Sequence, residues 1–330
     1  MRAITYTKFG PADAVLALRD MPTPNPAAGE VLVRLSRSGV NPSDVKARAG
    51  SRPGVTEPPY PLIIPHSDGA GVIEAVGTGV DPMRVGQRVW VWNGQWQRPH
   101  GTAASHIVLP ASHAVPLPDG VSFDTGATLG IPALTAAQTV FGGGEIKGKT
   151  LLVSGGGGSV GHLAIQLAVW GGAKVIATVG SGRSGDDARA AGATSVVDYH
   201  SPSLVEDILA ANDGQPIDRA VECEFGPNAD TLAQVMAPLS TIAAYGSAGN
   251  MSPTFPFGPM LFKALKIDIT LIYILPPHER AEMIRLIHKA LDEGALNSRV
   301  HAVYPLDQCA EAHKAVEAAG RHGAILLDCD

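Results

Sequence analysis

The chain has 330 residues, of which 45% are hydrophobic and 17% charged, and it carries a formal net charge of −6. This composition is typical of a globular protein with enough apolar residues for large cores, and the length suggests two domains. The negative charge argues against nucleic acid or an anionic membrane as the main partner, because both favour basic surfaces.

The cysteines and the N-terminal residues bear on the cellular compartment. Cys223, Cys309 and Cys329 match no zinc spacing and no disulfide framework, so we interpret them as thiols in a reducing compartment. The N-terminus has no apolar core of signal-peptide length, and no uncharged apolar stretch reaches the roughly 18 residues that span a bilayer. We therefore expect a cytoplasmic protein without a membrane partner.

Residues 1 to about 124 predict short strands separated by turns. The β-rich runs are 31–35, 70–77, 88–92 and 105–110. Many short strands at such spacing indicate a barrel or a sandwich. The segment WVWNGQWQRPHG (90–101) holds three of the four tryptophans. As a loop it would line a pocket for a flat ring, whereas Trp90 and Trp92 as alternating strand residues would pack on the barrel face, and the sequence does not decide between the two.

The pattern changes near Thr125. Apolar runs of strand length lie at 150–154, 174–179, 195–199, 219–223, 241–246 and 267–274. Helical segments lie between most of them, at 160–171, 185–191, 203–211 and 229–237. Strands that are apolar throughout and alternate with helices predict a parallel sheet covered on both faces, which is a doubly wound domain.

The last part of the chain predicts two helices and a strand. Apolar residues at helical spacing predict a helix over 279–293, which Gly294 is placed to end. Asp307 is positioned to cap a second helix that runs to about Ala319. A final strand is predicted at 324–328.

The segment VSGGGGSVGHLAIQLA (153–168) places a glycine-rich turn between the first strand and the first helix of the parallel sheet. Glycines allow a tight turn and a close approach of the backbone to a ligand, and the helix N-terminus offers free N–H groups that suit a pyrophosphate. A turn kept only for packing is the alternative. We predict a dinucleotide site that contains Gly156, Gly157, Gly158, Ser159, Val160 and Gly161.

The end of the second strand bears on the choice between NAD and NADP. Proteins that bind NAD usually have an acidic residue about 20 positions after the glycines, where it holds the ribose 2′-hydroxyl. Here the sequence reads Gly180, Ser181, Gly182, Arg183. Ser181 can donate to a 2′-phosphate and Arg183 can pair with it, which favours NADPH. The alternative is that Arg183 is a solvated loop charge.

These residues, with several motifs in fixed order, resemble the medium-chain dehydrogenase/reductase superfamily, and in it the zinc-free quinone oxidoreductase branch that includes zeta-crystallin. The further motifs are SGVNPSDVKARAG (38–50), PLIIPHSDGAGVIEAVGTGV (61–80), VGQRV (85–89), GATLGIPALTAAQTVF (126–141) and EAHKAVEAAGRHGAILL (311–327). The resemblance implies an α/β protein with a GroES-like β-barrel catalytic domain and an inserted doubly wound Rossmann domain. The first would span 1–124, completed by 276–330, and the second 125–275. It also implies a homodimer or homotetramer in which the last Rossmann strands pair across an interface.

The resemblance also bears on metal binding. Zinc-dependent relatives hold a catalytic zinc with an early Cys and a His, and this chain has Asn41 and Ser67 at those positions. The lobe of four closely spaced cysteines is absent, so we predict no metal site. His66 is one residue out of position, and we interpret it as a packed or hydrogen-bonded loop residue that could line the substrate pocket.

Site residues follow from the resemblance. It places Asn41 near the nicotinamide ribose, although a turn asparagine ahead of Pro42 is the alternative. The other implied cofactor contacts are Thr135, Tyr199, Gly246, Ser247 and Arg321. The substrate-pocket candidates are Asn41, Arg48, Arg52, His66 and Trp92. Close relatives often carry tyrosines at the positions of Lys46 and Arg52, which puts the identity of the substrate in question.

The sequence shows no Ser/His/Asp set and no catalytic carboxylate pair, as expected where the cofactor carries the chemistry. The resulting hypothesis is an NADPH-dependent oxidoreductase that reduces a small-molecule quinone by hydride transfer without zinc. One alternative is an alkenal or enone double-bond reductase. Another is an NADPH-binding structural or RNA-binding protein similar to some zeta-crystallins.

Overall fold

The computed structural model describes residues 1–51, 54–318 and 320–330, which form two compact units. The first unit contains Met1–Ile131 and Ser298–Asp330, and the second contains Pro132–Asn297. These limits differ from the predicted domain limits of 124/125 and 275/276. The main difference is the helix Pro277–Asp292, which packs within the second unit, where Glu279 accepts a hydrogen bond from Gln138 (3.0 Å).

The described residues contain fifteen strands. They are β1 (Arg2–Thr5), β2 (Ala17–Asp20), β3 (Glu30–Val40), β4 (Asp68–Val76), β5 (Arg88–Val91), β6 (His106–Pro110), β7 (Ala114–Pro116), β8 (Thr150–Ser154), β9 (Lys174–Val179), β10 (Ser195–Asp198), β11 (Ile217–Glu222), β12 (Met236–Ala244), β13 (Lys266–Ile269), β14 (Val300–Pro305) and β15 (Ala324–Asp328).

Eleven α-helices are present in the same residues. They are α1 (Ala12–Val15), α2 (Pro42–Ala49), α3 (Phe123–Gly126), α4 (Leu134–Phe141), α5 (Ser159–Trp170), α6 (Gly182–Ala190), α7 (Leu204–Ala210), α8 (Phe225–Val235), α9 (Phe257–Phe262), α10 (Pro277–Asp292) and α11 (Cys309–Glu317). A π-helical turn occupies Leu129–Ala133, and 3₁₀ turns occupy Pro82–Arg84, Ala111–His113, Ile272–Ile274 and Leu306–Gln308.

The first unit is organised around the long strand β3. On one side β3 pairs with β4, and on the other it pairs first with β6 and then with β15. The seven-stranded sheet has the order β14-β15-β3-β4-β5-β7, with β6 beside β3. Where we predicted a barrel, no pairing among the described residues joins the end strands β14 and β7. The alternating apolar residues of these strands form a core that also includes Leu306, Cys309 and Ala312.

The second unit is a doubly wound parallel domain, as predicted. Its six strands have the order β10-β9-β8-β11-β12-β13, and every pairing is parallel. Numbered within the unit, this is the order 3-2-1-4-5-6 of dinucleotide-binding domains. The strand order reverses between β8 and β11, and ligands of such sheets bind outside the carboxyl ends of the strands at that point.

Two predicted elements are shorter than the sequence indicated. The apolar run 267–274 was predicted as one strand, but β13 ends at Ile269 and a 3₁₀ turn follows at Ile272–Ile274. β13 is an edge strand and Ile269 is 81% exposed, so the apolar character of the run does not come from burial inside this unit. Asp307 lies in a 3₁₀ turn, and α11 starts two residues later without a side-chain cap.

Among the residues that the structure describes, no helix combines the length and the apolar character needed to cross a bilayer.

Candidate functional site

The glycine-rich turn lies where the strand order reverses, between the end of β8 and the start of α5. Gly155 has a φ of +67°, so it is the residue of the run that needs glycine for its backbone conformation. The N–H of Gly156 donates to the carbonyl of Thr178 on β9 (3.0 Å), and Gly158 donates back to Gly155 (2.9 Å). These bonds fix the turn against the two neighbouring strands.

Three of the glycines are required by lack of space. A Cβ on Gly156 would lie 2.8 Å from the Cβ of Ala177, and one on Gly157 would lie 2.6 Å from that of Ser184. A Cβ on Gly161 would lie 2.3 Å from the carbonyl oxygen of Gly155, so this glycine allows α5 to pack directly on the turn. A Cβ on Gly158 would meet no atom closer than 3.3 Å. Gly158 is therefore not needed for internal packing.

The N-terminus of α5 is available to an anion. Gly158 is the N-cap residue and no side chain caps the helix. Ser159, Val160 and Gly161 form its first turn, whose N–H groups have no carbonyl partner within a helix. These N–H groups and the helix dipole provide the features that a pyrophosphate requires.

The residues predicted to select the cofactor come together at the ends of β9 and β10. The N–H of Tyr199 donates to the carbonyl of Val179 (3.0 Å), and the Tyr199 hydroxyl lies 2.1 Å from where a Cβ on Gly180 would stand. Ser181 caps α6 by accepting from the N–H of Ser184 (3.2 Å). Arg183 is exposed in the first turn of α6 and makes no hydrogen bond or ion pair with the residues that the structure describes.

Gly246 and Ser247 lie past the end of β12 and serve the loop itself. A Cβ on Gly246 would lie 2.4 Å from the carbonyl oxygen of Cys223. The Ser247 hydroxyl accepts from the N–H of Gly226 (2.8 Å) and donates to the carbonyl of Asn250 (2.5 Å). Thr135 is buried in α4 of the same unit.

A buried carboxyl that the sequence analysis missed lies at the ends of β8 and β11. Glu222 is fully buried and accepts from the hydroxyl of Ser154 (2.5 Å), the N–H of Glu224 (2.5 Å) and the amide of Asn228 (3.0 Å). Burial raises the pKa of Glu222, and these donors act in the opposite direction. The carboxyl joins the two central strands at their ligand-binding edge. One acidic residue in an apolar strand is the only signal that the sequence offered.

In the first unit, Asn41 and Asp68 form a buried pair. The Asn41 amide nitrogen donates to Asp68 Oδ2 (2.8 Å), and the Asn41 N–H donates to Asp44 Oδ2 (2.8 Å). Burial raises the pKa of Asp68 well above its ordinary value, the nearby Asp44 raises it further, and the hydrogen bonds from Ile131 and Asn41 lower it. Asn41 is the N-cap residue of α2, and its side chain forms a capping box with the backbone of Asp44.

His66 lies in a buried polar group that the sequence did not indicate. Its Nδ1 lies 3.0 Å from the Ser38 hydroxyl, and its Nε2 lies 2.8 Å from Nε2 of His313. Cys309 Sγ is 3.9 Å from the same Nε2. The sequence analysis interpreted His66 as a packed or hydrogen-bonded loop residue, and it is hydrogen-bonded here. Two of its partners come from the C-terminal helix α11, which packs on β15 where that strand pairs with β3. The spacing of Cys309 and His313, one helical turn apart, was the available signal.

The remaining described residues of the prediction make contacts within the first unit. Arg48 is buried, donates to the carbonyl of Gly10 (2.6 Å) and pairs with Glu317 (2.5 Å). Trp92 is half-buried with its ring 3.8 Å from that of His113, while Trp90 is fully buried in β5. Arg321 lies in the first unit and donates to the carbonyl of Val316 (3.3 Å). Arg52 lies outside the described residues.

Comparisons with known proteins agree with both units. Residues 27–119 match the family model of the alcohol dehydrogenase GroES-like domain, and residues 159–289 match that of the zinc-binding dehydrogenases. The quinone oxidoreductase of Rattus norvegicus is 26% identical over 329 residues, which is 99% of this chain and 97% of the relative.

Solved structures give the same result. The Escherichia coli quinone oxidoreductase, solved in complex with NADPH, has a TM-score of 0.87 and 26% identity, covering 99% of this chain and 100% of that one. An NAD-dependent alcohol dehydrogenase has the same TM-score and 28% identity, with 99% of each chain covered.

A GroES-like domain followed by a parallel dinucleotide-binding sheet of this order defines the class of the protein. The chain belongs to the medium-chain dehydrogenase/reductase superfamily, and its similarity to quinone oxidoreductases supports that branch. The family and fold predicted from the sequence are thereby confirmed.

Proposed function

We propose that the protein is an NADPH-dependent oxidoreductase that reduces quinones by hydride transfer without a catalytic zinc. Its superfamily is one of oxidoreductases, and the rat and E. coli relatives are named quinone oxidoreductases. The observation that carries the proposal is the edge formed by β8, β9 and β10, where the uncapped α5 turn and the group Ser181, Arg183 and Tyr199 occupy neighbouring strand ends.

The residues at this edge fit a dinucleotide. Gly158 leaves open space on the turn, so a pyrophosphate could approach the backbone and accept from the N–H groups of Ser159, Val160 and Gly161. The next strand end would receive the adenosine ribose. When bound, NADPH supplies the hydride; the residues of this edge hold and orient it.

Preference for NADPH would come from Arg183. The guanidinium is exposed and without a protein partner among the described residues, so it can pair with a 2′-phosphate without breaking an ion pair. The Ser181 hydroxyl and the Tyr199 ring flank the same strand ends. The nearest acidic group on α6, Asp186, pairs with Arg189 (3.2 Å) and thus has a counter-ion of its own.

The absence of zinc from the mechanism is proposed from residue types. Asn41 and Ser67 provide neither thiolate nor imidazole, and the Asn41 amide nitrogen already donates to Asp68. A catalytic zinc with the family's ligands therefore does not fit these residues. A quinone accepts hydride without Lewis-acid activation, and solvent can provide the proton.

Dimer formation through the edge of the second unit is part of the proposal. β13 has a partner on one side only, and the side chains around it are unusually exposed for apolar residues: Phe262 is 90%, Ile269 81% and Ile274 65% exposed. An exposed apolar edge strand favours pairing with a second copy.

The test is the initial rate followed by nicotinamide absorbance, with NADPH and NADH, each with an ortho-quinone and a simple enone. We expect the NADPH and quinone combination to have the highest kcat/KM. Arg183→Gln should raise the KM for NADPH about 10-fold, the low end expected for a charge-assisted contact at an exposed site, and leave the KM for NADH unchanged. Arg285→Gln, which changes an exposed arginine on α10 of the same unit, is the control and should change neither.

Three results would count against this reading. Equal kcat/KM values for NADH and NADPH would show that Arg183 does not select the cofactor. A kcat/KM that is higher for the enone would favour the double-bond reductase. Oxidation of NADPH with no member of the panel would refute the assignment of substrate class.

A further inference from the structure

Three potential metal ligands meet in the core of the first unit. His66, Cys309 and His313 are all fully buried, and their ligand atoms lie within 4.8 Å of one another. Cys309 and His313 are four residues apart on α11 and so share one face of the helix. His66 comes from the loop before β4 and has a positive φ of 77°, a conformation that is rare for a non-glycine residue. The group thus joins a strained loop to the C-terminal helix.

A chain of hydrogen bonds fixes the tautomer of His66. The Thr102 hydroxyl donates to the carbonyl of Asp68 (2.6 Å), so towards Ser38 (2.8 Å) it can only accept. The proton of the Ser38 hydroxyl is then used on Thr102, and Ser38 can only accept from Nδ1 of His66 (3.0 Å). Nδ1 therefore carries a proton. In the neutral ring the lone pair lies on Nε2, which faces His313 and Cys309.

His66, with a donating Nδ1 and a free lone pair on Nε2, is arranged as metal-binding histidines are. Such residues donate from one ring nitrogen to an acceptor, which orients the ring, and bind the metal through the other. Burial, and next the neighbouring His313, lower the pKa of His66 well below its ordinary value, and burial followed by Arg48 lowers that of His313 to about 3. Both rings are thus neutral, and neutral imidazole is the form that binds metal.

The distances are close to those of a tetrahedral zinc site. Zinc bonds of the usual lengths place two nitrogens about 3.3 Å apart and a sulfur about 3.6 Å from a nitrogen. Here Nε2 of His66 lies 2.8 Å from Nε2 of His313 and 3.9 Å from Sγ of Cys309. These two distances each differ from the zinc values by about half an ångström or less, and the third, between His313 and Cys309, is at most 4.8 Å.

The charges around the group also suit a cation. A bound divalent cation would deprotonate Cys309, whose thiol pKa is otherwise raised, first by burial. Arg48 is the nearby positive charge, and Glu317 pairs with it (2.5 Å). Asp44 is a further negative group that acts on Cys309. The metal, one thiolate, one guanidinium and two carboxylates would sum to zero.

We propose that His66, Cys309 and His313 form a zinc site that fastens the C-terminal helix to the His66 loop. Binding would release the Cys309 thiol proton to solvent, move the ring proton of His313 from Nε2 to Nδ1, and leave one tetrahedral position for a further ligand. The site is distinct from a catalytic zinc with the family's ligands, since Asn41 and Ser67 take no part. It does not depend on the proposed function, because its test measures metal and not turnover.

The experiment uses the untagged full-length protein, stripped of metal by a chelator and then titrated with Zn²⁺ and, separately, Co²⁺. We expect one zinc per chain, and a cobalt spectrum with the d–d bands of a tetrahedral ion and a thiolate charge-transfer band. Zinc-edge X-ray absorption of the wild-type protein should show one sulfur at about 2.3 Å and nitrogens at about 2.0 Å. This last measurement needs no variant.

Variants separate the proposed site from adventitious binding. Cys309→Ala should abolish the thiolate band and weaken zinc binding by more than about 100-fold. Ser38→Ala, which removes the acceptor for Nδ1 of His66 together with the hydrogen bond to Thr102, should weaken it by about 10- to 100-fold. Cys329→Ala is the matched control, since Cys329 is a buried thiol of the same unit outside the group, and it should bind zinc as the wild type does.

The proposal is overturned if the wild-type chain binds no stoichiometric zinc, or if absorption shows no sulfur ligand. It is also overturned if folded Cys309→Ala keeps the cobalt spectrum. In each case the three side chains would be a metal-free packed network, held by a hydrogen bond from Nε2 of His313 to Nε2 of His66.

Discussion

The glycine turn allows packing and cofactor binding to be separated by two neighbouring substitutions. A Cβ on Gly161 would lie 2.3 Å from the carbonyl oxygen of Gly155, about 1 Å inside the 3.4 Å at which ordinary contact begins. That oxygen belongs to the backbone and cannot rotate away. A Cβ on Gly158 would come no closer than 3.3 Å to any atom and would point into space that the proposed pyrophosphate needs.

The magnitudes follow from these contacts. Overpacking costs about 1–3 kcal/mol, and we take about 2–3 kcal/mol here because the contact is short and lies against the backbone. Alanine in place of glycine within a helix returns about 1 kcal/mol. We therefore expect Gly161→Ala to lower the free energy of unfolding by about 1–2 kcal/mol, which corresponds to roughly 2–8 °C in Tm for a unit of this size. Gly158→Ala should change stability by less than about 1 kcal/mol but weaken NADPH binding strongly.

The assays are thermal unfolding without cofactor and NADPH titration by fluorescence, applied to both variants. The reasoning is refuted if Gly161→Ala unfolds at the wild-type temperature, or if Gly158→Ala binds NADPH with the wild-type Kd. A loss of stability in both variants would mean that the turn as a whole excludes side chains, whatever the contacts of each glycine.

Three other predictions follow from buried groups and from the edge strand. Asp68→Asn keeps an acceptor for Asn41 but cannot titrate. Because the pKa of Asp68 is raised in the folded protein, the stability of the wild type relative to this variant should fall as the pH rises from the ordinary pKa of aspartate through the raised one. Urea titrations of both proteins at several pH values would show no such trend if the carboxyl were solvated. Glu222→Gln should lower the free energy of unfolding, measured by chemical denaturation, by about 1–3 kcal/mol. Donors face both carboxyl oxygens of Glu222, whereas the glutamine amide has only one oxygen that can accept from them. An unchanged free energy of unfolding would place Glu222 outside this hydrogen-bond network. Ile269→Lys should convert the dimer to a monomer, as measured by light scattering. Val303→Lys, which changes an exposed residue of the first unit, should leave the dimer intact. A wild-type protein that is itself a monomer would contradict the proposed interface.

The second unit was more predictable from the sequence than the first. Strands of a parallel sheet are buried on both faces, so the runs that became β8 and β9 are mostly apolar and easy to recognise. The glycine turn was recognised for the same reason, since its position between strand and helix gives the residues a context. The positive φ at Gly155 was not assigned to that residue, because any of the four glycines could have adopted it.

The contacts of His66 could not be predicted from local pattern. Its partners His313 and Cys309 are more than 240 positions away in the sequence, and they meet His66 only because β15 returns to pair with β3. A single histidine in a loop belongs to no hydrophobic repeat and to no sequence motif that would indicate its contacts. The same holds for Glu222, whose donors come from β8 and from the loop after β11. Long-range pairing decides such sites, and pattern analysis of one sequence does not contain it.

The pairing of β3 with β15 has a consequence for synthesis on the ribosome. β3 is made early, yet the strand that covers its second half, from Arg37 to Val40, lies within the last residues of the chain. The second unit contains all six strands of its own sheet between Pro132 and Asn297, so it can fold while synthesis continues. The first unit must wait with an open sheet edge until β15 has been synthesised. We expect nascent chains stalled before β15 to be bound by chaperones through residues of the first unit.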